Sequence, residues 1–303
     1  MTADPDLRRA WIAANPTKKA FAELEGAVPA WVRFHGERRL VLSCQAAGDS
    51  GFAKVANAAS ARGAQEGAAL VYGFTDARSS IRDVDALGWE SLGPVPALVR
   101  PLRLSSMAAR LKLPAFARAL LPQLPLVAPF GRRRRAGVRE ITSLPVDVRI
   151  TRLWDRFSID VGVALERTTS FFGWRIHDRP GKSYRIFIFE DGDRYAIRAM
   201  CIFTVTGHVM ELLHDRSVTG MRAASHLLGL ALCEMSDAGA ESAVALSLPH
   251  SGSYPIYLRH AFVSAPAEAR AGQLVVRALD PTIEDAVTQA DRWYVSYLDA
   301  MDV

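Results

Sequence analysis

The sequence VMELLHDRSVTGMRAASHLLGLALCEM spans residues 209–235 and joins a strand pattern, a polar turn and a helix pattern. It predicts a buried strand, a turn containing Gly220, and then a long amphipathic helix, because apolar residues recur at helical spacing. The residues of that apolar face are Met221, Ala224, Leu227, Leu228, Ala231 and Met235. Ser217 and Thr219 are both suitable N-caps. Backbone N–H groups at a helix start attract anions, so the turn predicts a phosphate site, with an ordinary strand–helix connection as the alternative.

Length and composition indicate a globular protein of two ordinary domains or one large one. The chain has 303 residues, of which 50% are hydrophobic and 23% charged. No apolar run approaches the roughly 20 residues that a membrane-spanning helix needs. The N-terminal sequence MTADPDLRRAW lacks the apolar core of a signal peptide. We therefore expect a cytoplasmic protein without a membrane span.

The charge and the cysteines limit the classes of partner. A formal net charge of +5 favours an anionic ligand but is modest for a nucleic-acid binder, so no nucleic-acid partner is predicted. Part of the excess is the run Arg132–Arg135, which is interpreted as a solvated linker, with a grip on phosphate or an acidic partner as the alternative. Cys44, Cys201 and Cys233 are scattered in apolar segments, so we expect reduced core residues and no metal site.

The strand–turn–helix pattern has an earlier counterpart at Leu40–Gly63, so the two halves of the chain look like copies of one unit. Each half combines antiparallel hairpins, a strand–turn–helix and further strands. In the second half, Val146–Arg152 and Trp293–Leu298 are also predicted strands. A segment rich in proline and arginine predicts a linker. We therefore expect a shortened or degenerate N-terminal domain at 1–122, a linker at 123–145 and a C-terminal domain at 146–303.

Several sets of landmark residues are spread over most of the chain. They are Trp11 with Asn15-Pro16, Tyr72–Phe74 with Leu87–Trp89, Arg167–Phe172 with Trp174-Arg175, Pro180 and Tyr184, Leu258–Phe262, and Trp293–Asp302. These landmarks resemble the GNAT acyltransferase superfamily and, more narrowly, bacterial proteins with two tandem GNAT domains. The resemblance implies an α/β (α+β) fold of two tandem GNAT-like domains, each a mixed, mostly antiparallel sheet flanked by helices.

The resemblance also implies acetyl-CoA or another acyl-CoA as co-substrate, held by the loop between the fourth strand and the next helix. In the first half this loop supplies Gln45, Gly48, Ser50 and Gly51, and in the second half Ser217, Val218, Thr219, Gly220, Met221 and Arg222. The family pattern, Gln/Arg-x-x-Gly-x-Gly/Ala, uses small residues so that backbone amides approach the pyrophosphate. Neither copy is complete, since Asp49 adds a negative charge and Arg222 replaces a small residue. Arg216 and Arg222 could offset this by pairing with phosphate directly.

The chemistry implied by the resemblance is direct attack of an amine on a thioester. Backbone N–H groups of a splayed fourth strand would polarise the thioester carbonyl, a base would accept the amine proton, and an acid would protonate the thiolate. The candidates are Glu211 and Asp215 for the base, with His208 and His214 as secondary choices, and Tyr254 and Tyr257 for the acid. A solvent-facing Glu211 and a core Tyr257 are the structural alternatives.

Two functions follow from the resemblance. The first is an N-acyltransferase acting on the amine of a small molecule, peptide or sugar, and a homodimer is compatible with it. The second is a catalytically inactive GNAT-fold binding or scaffold protein, because both phosphate loops depart from the family pattern.

Overall fold

The computed structural model describes residues 10–17, 26–44, 52–75, 85–104, 106, 125–126, 134–141, 148–192, 196–265 and 272–300. The strands are β1 (Ala27–Phe34), β2 (Glu37–Cys44), β3 (Leu70–Thr75), β4 (Glu90–Pro94), β5 (Ala97–Pro101), β6 (Val138–Ile141), β7 (Val163–Leu165), β8 (Arg185–Asp191), β9 (Ala196–Phe203), β10 (His208–His214), β11 (Ser242–Leu246), β12 (Val263–Ser264) and β13 (Gln273–Ala278). The α-helices are α1 (Phe52–Gln65), α2 (Val148–Phe157), α3 (Thr169–Phe172), α4 (Val218–Asp237), α5 (Tyr254–Arg259) and α6 (Glu284–Val287). A π-helix, Gly173–His177, continues α3, and short 3₁₀ turns cover Pro281–Ile283 and Ala290–Arg292.

The strands form two mixed sheets in two compact units. Unit 1 comprises Met1–Pro96, Ser158–Lys182 and Ala269–Val303, and its sheet has the order β4-β13-β3-β2-β1-β7. Unit 2 comprises Ala97–Phe157 and Ser183–Glu268, and its sheet has the order β12-β5-β11-β10-β9-β8-β6. One neighbouring pair in each sheet is parallel, β2 with β3 and β10 with β11, and the other pairs are antiparallel. The predicted fold class, mixed and mostly antiparallel sheets flanked by helices, is confirmed.

The compact units do not follow the predicted ranges 1–122, 123–145 and 146–303, because strands from each half join the other half's sheet. β5 comes early in the chain but pairs along its length with β11 of unit 2, from Ser242 opposite Pro101 to Leu246 opposite Ala97. β13 comes late in the chain but pairs with β3 of unit 1. Each unit is therefore assembled from separated segments.

The core of unit 2 lies between its sheet and α4. The apolar helix face predicted from residues 209–235 is confirmed, since Ala224, Leu227, Leu228, Ala231 and Met235 are all fully buried. These side chains pack in one cluster with apolar residues of β5, β8, β9, β10 and β11. Burial of apolar surface contributes about 25 cal/mol per Å², so this packing stabilises the unit and holds α4 against the sheet.

The predicted strand at Val146–Arg152 is wrong, because residues 148–157 form α2. Its buried residues Ile150, Leu153, Trp154 and Phe157 follow the i, i+3, i+4, i+7 spacing of one helix face. That spacing was present in the sequence.

The predicted strand at Trp293–Leu298 is also wrong. Only an isolated bridge joins Trp293 to Val163, and the chain then turns. The turn is fixed by Asp299, whose carboxylate accepts from the backbone N–H of Ser296 at 2.7 Å and pairs with the fully buried Arg167 at 2.6 Å. Local hydrogen bonds to a buried ion pair therefore replace the strand ladder in this segment.

Candidate functional site

Strand β10 carries a β-bulge and then separates from β11. Against β9, Val209 is opposite Phe203 and Glu211 is opposite Ile202, so Met210 is an extra residue. Against β11, pairing is confined to His208 with Val244 and Val209 with Ala245. Residues 210–214 therefore run along β9, and no strand of the described ranges pairs with their other edge. We call this edge the β10 opening.

The turn from β10 into α4 is organised by Asp215. Its Oδ1 accepts hydrogen bonds from the backbone N–H of Ser217 at 3.1 Å and from the Ser217 hydroxyl at 2.5 Å. The same hydroxyl oxygen accepts from the N–H of Gly220 at 2.9 Å, so Ser217 is the N-cap of the helix. Thr219, the other predicted cap, lies inside the first turn. The chain of bonds from Asp215 to Gly220 sets the direction of the helix start.

Gly220 is required at its position by Asp215. A Cβ added to Gly220 would lie 2.1 Å from Oδ1 of Asp215 and 3.0 Å from the carbonyl oxygen of Arg198. The space that a phosphate-loop glycine leaves for a pyrophosphate is thus filled by a carboxylate of the protein itself. The sequence pattern located this glycine correctly, but the contact that demands it is internal.

Arg198 balances the charge of Asp215. Its guanidinium donates to Oδ2 of Asp215 at 2.7 Å and to Oδ2 of Asp191 at 2.8 Å, and the Asp215 side chain is 1% exposed. Burial acts to raise the pKa of Asp215, but the hydrogen bonds from Ser217 and Arg198 outweigh it, so the pKa is lowered. A carboxylate with all these partners is a weak proton acceptor, and its place in the turn is structural.

His214 and Arg216 connect this turn to its neighbours. Nδ1 of His214 accepts from the N–H of Arg216 at 3.1 Å, so Nε2 carries the proton and donates to the carbonyl of Gly252 at 3.1 Å. Burial lowers the pKa of His214, which keeps the ring neutral. Arg216 has φ of 59° and donates from Nε to the carbonyl of Phe157 at 2.8 Å. Both side chains are engaged in holding loops together.

The loop after β11 borders the β10 opening. The hydroxyl of Ser253 donates to the carbonyl of Leu212 at 3.0 Å, and this carbonyl faces the side from which β11 has departed. Ser253 is 1% exposed. Together with the bond between His214 and Gly252, this contact fixes the loop against the end of β10. The opening is therefore bordered by β10, the start of α4 and residues 249–253.

The four predicted catalytic residues all lie in unit 2 but in different surroundings. Glu211 is 1% exposed and follows the bulge. Tyr257 belongs to the core cluster, with its ring edge-on to Phe262 at 5.3 Å. Burial, with the nearby charge of Glu211 adding to it, raises the pKa of Tyr257 well above its usual value. Tyr254, the first residue of α5, is only partly buried. Of the two tyrosines, Tyr254 is the one that a ligand could contact without repacking the core.

The first turn of α4 exposes the remaining predicted phosphate ligands. Val218 is 60% exposed, Thr219 and Arg222 are also exposed, and Met221 is half-buried. An anion at this end of the 20-residue helix would meet its positive dipole end and one guanidinium, whereas the N–H of Gly220 is already bound by Ser217. A pyrophosphate would have to bind these exposed groups of the first turn, because the carboxylate of Asp215 already occupies the space next to Gly220.

The corresponding strands of unit 1 stay paired up to the last residue of β2. β2 and β3 are in parallel register from Val41 opposite Leu70 to Cys44 opposite Gly73. Phe52, at the start of α1, packs so closely that a Cβ on Gly73 would lie 2.8 Å from its ring. Between residues 41–44 and 70–73, which the structure describes, the pairing has no gap like the β10 opening. The predicted ligands Gln45, Gly48, Ser50 and Gly51 lie outside the described residues.

Two residues of the site were not predicted. Arg198 interrupts the apolar run of β9, AIRAMCIF, and a charge in such a run was the available signal. Ser253 lies in a serine- and glycine-rich loop that indicated only a turn. Both act by binding groups of β10 or of the residues that follow it.

Arg134 and Arg135 of the arginine run lie among the described residues, whereas Arg132 and Arg133 lie outside them. Arg134 pairs with Glu140 at 3.0 Å, in a cluster that also joins Arg185 to Glu234 at 2.6 Å, so it braces β6, β8 and α4. All three cysteines are free and buried. In the described part of the chain there is no group of three or more metal-ligating side chains. The helices of these same ranges include none that is long and apolar enough to cross a membrane.

Comparison of the sequence with protein families finds no matching model, and no curated protein sequence matches it. Solved structures do match by fold. Saccharomyces cerevisiae N-myristoyltransferase with bound myristoyl-CoA aligns with a TM-score of 0.55 and 11% identity, over 82% of this chain and 64% of that chain. A GCN5-related N-acetyltransferase from Anabaena variabilis aligns with a TM-score of 0.52 and 11% identity, over 84% of this chain and 58% of that chain. This chain thus has a GNAT-like fold and spans less than two thirds of either structure.

Proposed function

We propose that unit 2 is an acyl-CoA-dependent N-acyltransferase that moves an acyl group from the thioester to an amine by direct attack. The observation that supports this most strongly is the bulge in β10 followed by its separation from β11 after Val209. The unpaired edge of such a strand exposes backbone N–H and C=O groups. An extended ligand can bind these groups in the way that an added β-strand would. The fold shared with a structure that holds myristoyl-CoA supports the same class of donor.

The β10 opening supplies a donor for the thioester carbonyl. The carbonyl of Leu212 points into the opening, where it accepts from Ser253. The N–H of the same residue points to the same side of the strand, as does that of His214, two residues on. Such amides are fixed before substrate arrives and stabilise the negative charge that develops on the thioester oxygen during attack.

The start of α4 supplies the anion site for the CoA phosphates. Its helix dipole and exposed first turn favour negative charge, and Arg222 adds a mobile guanidinium. Asp215 lies beneath this turn and is neutralised by Arg198, so its charge opposes the phosphates only weakly. Asp215 therefore serves as the residue that shapes the turn, and we no longer favour it as a base.

The proton transfers are assigned to Glu211 and Tyr254. Glu211 directly follows the bulge, within the strand segment that borders the opening, and it accepts the amine proton directly or through one water. Tyr254 is partly exposed on α5, immediately after Ser253, and it protonates the departing thiolate. Tyr257 is held in the core, where its raised pKa makes it a poorer acid.

Thermal unfolding in the presence of acetyl-CoA and of myristoyl-CoA tests the proposal first. A donor that binds the native state at about 100 times its Kd adds about 2.7 kcal/mol, or about 5–10 °C for a unit of this size. Release of CoA thiol with an amine mixture as acceptor then tests turnover. Glu211→Gln should abolish the amine-dependent release, whereas the same change at the exposed Glu241 should not. No thermal shift with either thioester would overturn the proposal.

A non-catalytic role is favoured for unit 1. Its strands β2 and β3 are paired to Cys44 and Gly73, and Phe52 covers Gly73. The second function, a binding or scaffold protein, would extend this role to the whole chain. Tight thioester binding without amine-dependent release of thiol, across small amines, peptides and amino sugars, would favour that function over the enzyme.

A further inference from the structure

The loop after β11 places a serine hydroxyl where a neighbouring strand would pair with β10. The N–H of Asp215 donates to the carbonyl of Arg198 in β9 at 2.9 Å, and backbone groups alternate along a strand, so those of Leu212 point away from β9. The hydroxyl of Ser253 donates to the carbonyl oxygen of Leu212 at 3.0 Å. Leu212 is fully buried and Ser253 is 1% exposed, so the hydroxyl fills the space in front of this carbonyl.

Ser253 makes this bond instead of the one expected from its position in the chain. It is the N-cap residue of α5, and a serine there ordinarily accepts a hydrogen bond from a backbone N–H of the first helical turn. Ser217 does so at the start of α4. The side chain of Ser253 makes no capping bond and contacts β10 instead. Capping of α5 therefore does not account for this hydroxyl.

The backbone of the loop is held by bonds that do not involve the Ser253 hydroxyl. His214 donates from Nε2 to the carbonyl of Gly252 at 3.1 Å, and the N–H of Ile256 donates to the carbonyl of Ser253 at 3.0 Å. The hydroxyl can therefore turn by rotation of one side-chain torsion while the loop stays in place. The hydroxyl of Ser251 lies 3.4 Å from it and offers it a second partner. Displacing the hydroxyl from β10 thus costs one neutral hydrogen bond.

We propose that Ser253 holds the place of an amide N–H, and that the donor site recognises a thioester with a secondary amide in its arm by exchanging this hydroxyl for the ligand's N–H. The inference rests on the proposed acyl transfer in unit 2. A secondary amide supplies a new donor to the carbonyl of Leu212, so this carbonyl remains hydrogen-bonded after binding. An arm without an N–H displaces the hydroxyl and leaves the buried carbonyl without a donor, which is unfavourable. Ser253 is therefore a specificity-determining residue.

Calorimetric titration of the full chain with acetyl-CoA, whose arm carries secondary amides, tests the exchange. Ser253→Ala removes the hydroxyl that the ligand has to displace. It should bind acetyl-CoA about three- to tenfold more tightly than the natural chain, the factor that corresponds to one neutral hydrogen bond. Ser253→Cys should also tighten binding, because a thiol is a weak donor. Circular dichroism checks the folding of each variant, and the cysteine variant provides the test if the alanine variant does not fold.

Ser247→Ala is the matched control for the loss of a buried hydroxyl. Ser247 follows β11 directly and is 2% exposed, and its hydroxyl donates to the carbonyl of Leu248 at 3.4 Å instead of to β10. This variant should bind acetyl-CoA with the affinity of the natural chain.

Two small thioesters test the role of the amide N–H. S-acetyl-N-acetylcysteamine carries a secondary amide, and 2-(acetylthio)ethyl acetate has an ester oxygen in place of the N–H with the same length. On the natural chain, the amide should compete with acetyl-CoA about fivefold or more strongly than the ester, because only the amide supplies a donor to Leu212.

The outcomes separate this inference from the proposed function. No binding of acetyl-CoA by the natural chain or by the Ser253 variants would overturn acyl transfer in unit 2 together with the inference. Binding by the natural chain without a gain in a folded Ser253 variant would overturn the inference alone. The same gain in Ser247→Ala, or equal competition by the amide and the ester, would also overturn the inference alone.

Discussion

Gly220 gives a direct way to test the packing that shapes the proposed donor site. An alanine Cβ there would lie 2.1 Å from Oδ1 of Asp215, less than any real contact, and 3.0 Å from the carbonyl oxygen of Arg198. Backbone atoms of β9 cannot move far, so the carboxylate has to leave its place. It would then lose its hydrogen bonds to Ser217, one from the backbone at 3.1 Å and one from the hydroxyl at 2.5 Å.

The expected loss can be worked from these contacts. Overpacking costs about 1–3 kcal/mol, and loss of a charge-assisted hydrogen bond costs about 1.5–3 kcal/mol. Alanine returns about 1 kcal/mol through its higher helix propensity. The net destabilisation from Gly220→Ala is therefore about 1.5–5 kcal/mol, which corresponds to a fall on the order of 10 °C in the Tm of unit 2.

Gly229→Ala in the same helix is the matched control. Its added Cβ would meet only Cε1 of His260 at 3.5 Å, an ordinary contact, so this variant should gain about 1 kcal/mol. Calorimetry of both variants measures the difference, and an Asp215→Ala background should recover about 1–3 kcal/mol of the Gly220→Ala loss. If both alanines raise the Tm equally, or if removing Asp215 makes no difference, the carboxylate does not fill the space above Gly220.

Three further outcomes are expected. Asp299→Asn leaves the fully buried Arg167 without its countercharge, so unit 1 should lose about 3–5 kcal/mol in urea unfolding; a loss below about 1 kcal/mol would contradict the buried pair. Burial lowers the pKa of His260 to about 4, below its unfolded value of 6.5, so only the unfolded state binds the proton between these values. Stability should therefore fall by roughly 3 kcal/mol as pH drops from 6.5 to 4, and the His260→Asn variant should lack this slope. In the thiol-release assay, Tyr254→Phe should lower kcat about 10²-fold while Tyr257→Phe has a smaller effect, and the reverse order would exchange their roles.

Local patterns made β10 and α4 of unit 2 predictable, but the strand predicted where α2 lies was wrong, and the partners of several strands were not predicted. The sequence signal for the β9–β10 hairpin is Gly207, whose φ is 114° and whose added Cβ would meet the carbonyl of Ser242 at 2.3 Å. The helix α4 followed from its apolar periodicity. It could not be predicted that β5 joins the sheet of unit 2 and β13 the sheet of unit 1. An apolar run indicates a buried strand but does not specify which strand it pairs with.

Residues of the site that cap a helix or form a turn could be predicted from the local sequence. Contacts between side chains that are far apart in the sequence could not. Ser217 and Gly220 follow from capping and from the strand–turn–helix pattern. The pairing of Arg198 with Asp215, and of Ser253 with the carbonyl of Leu212, joins residues 17 and 41 positions apart and depends on how the sheet is assembled. The point at which β10 separates from β11 likewise has no sequence signal, because the residue pattern of a strand does not specify where its pairing with a neighbour ends.

Hydrogen exchange with and without acyl-CoA tests the assignment of the donor site to unit 2. On addition of acetyl-CoA or myristoyl-CoA, backbone amides of residues 210–222 should gain protection, because they border the β10 opening and the start of α4. Amides of Val41–Cys44 in unit 1 should not change, since that strand is already paired with β3. Protection confined to unit 1, or no change in residues 210–222 at saturating thioester, would contradict the proposed site.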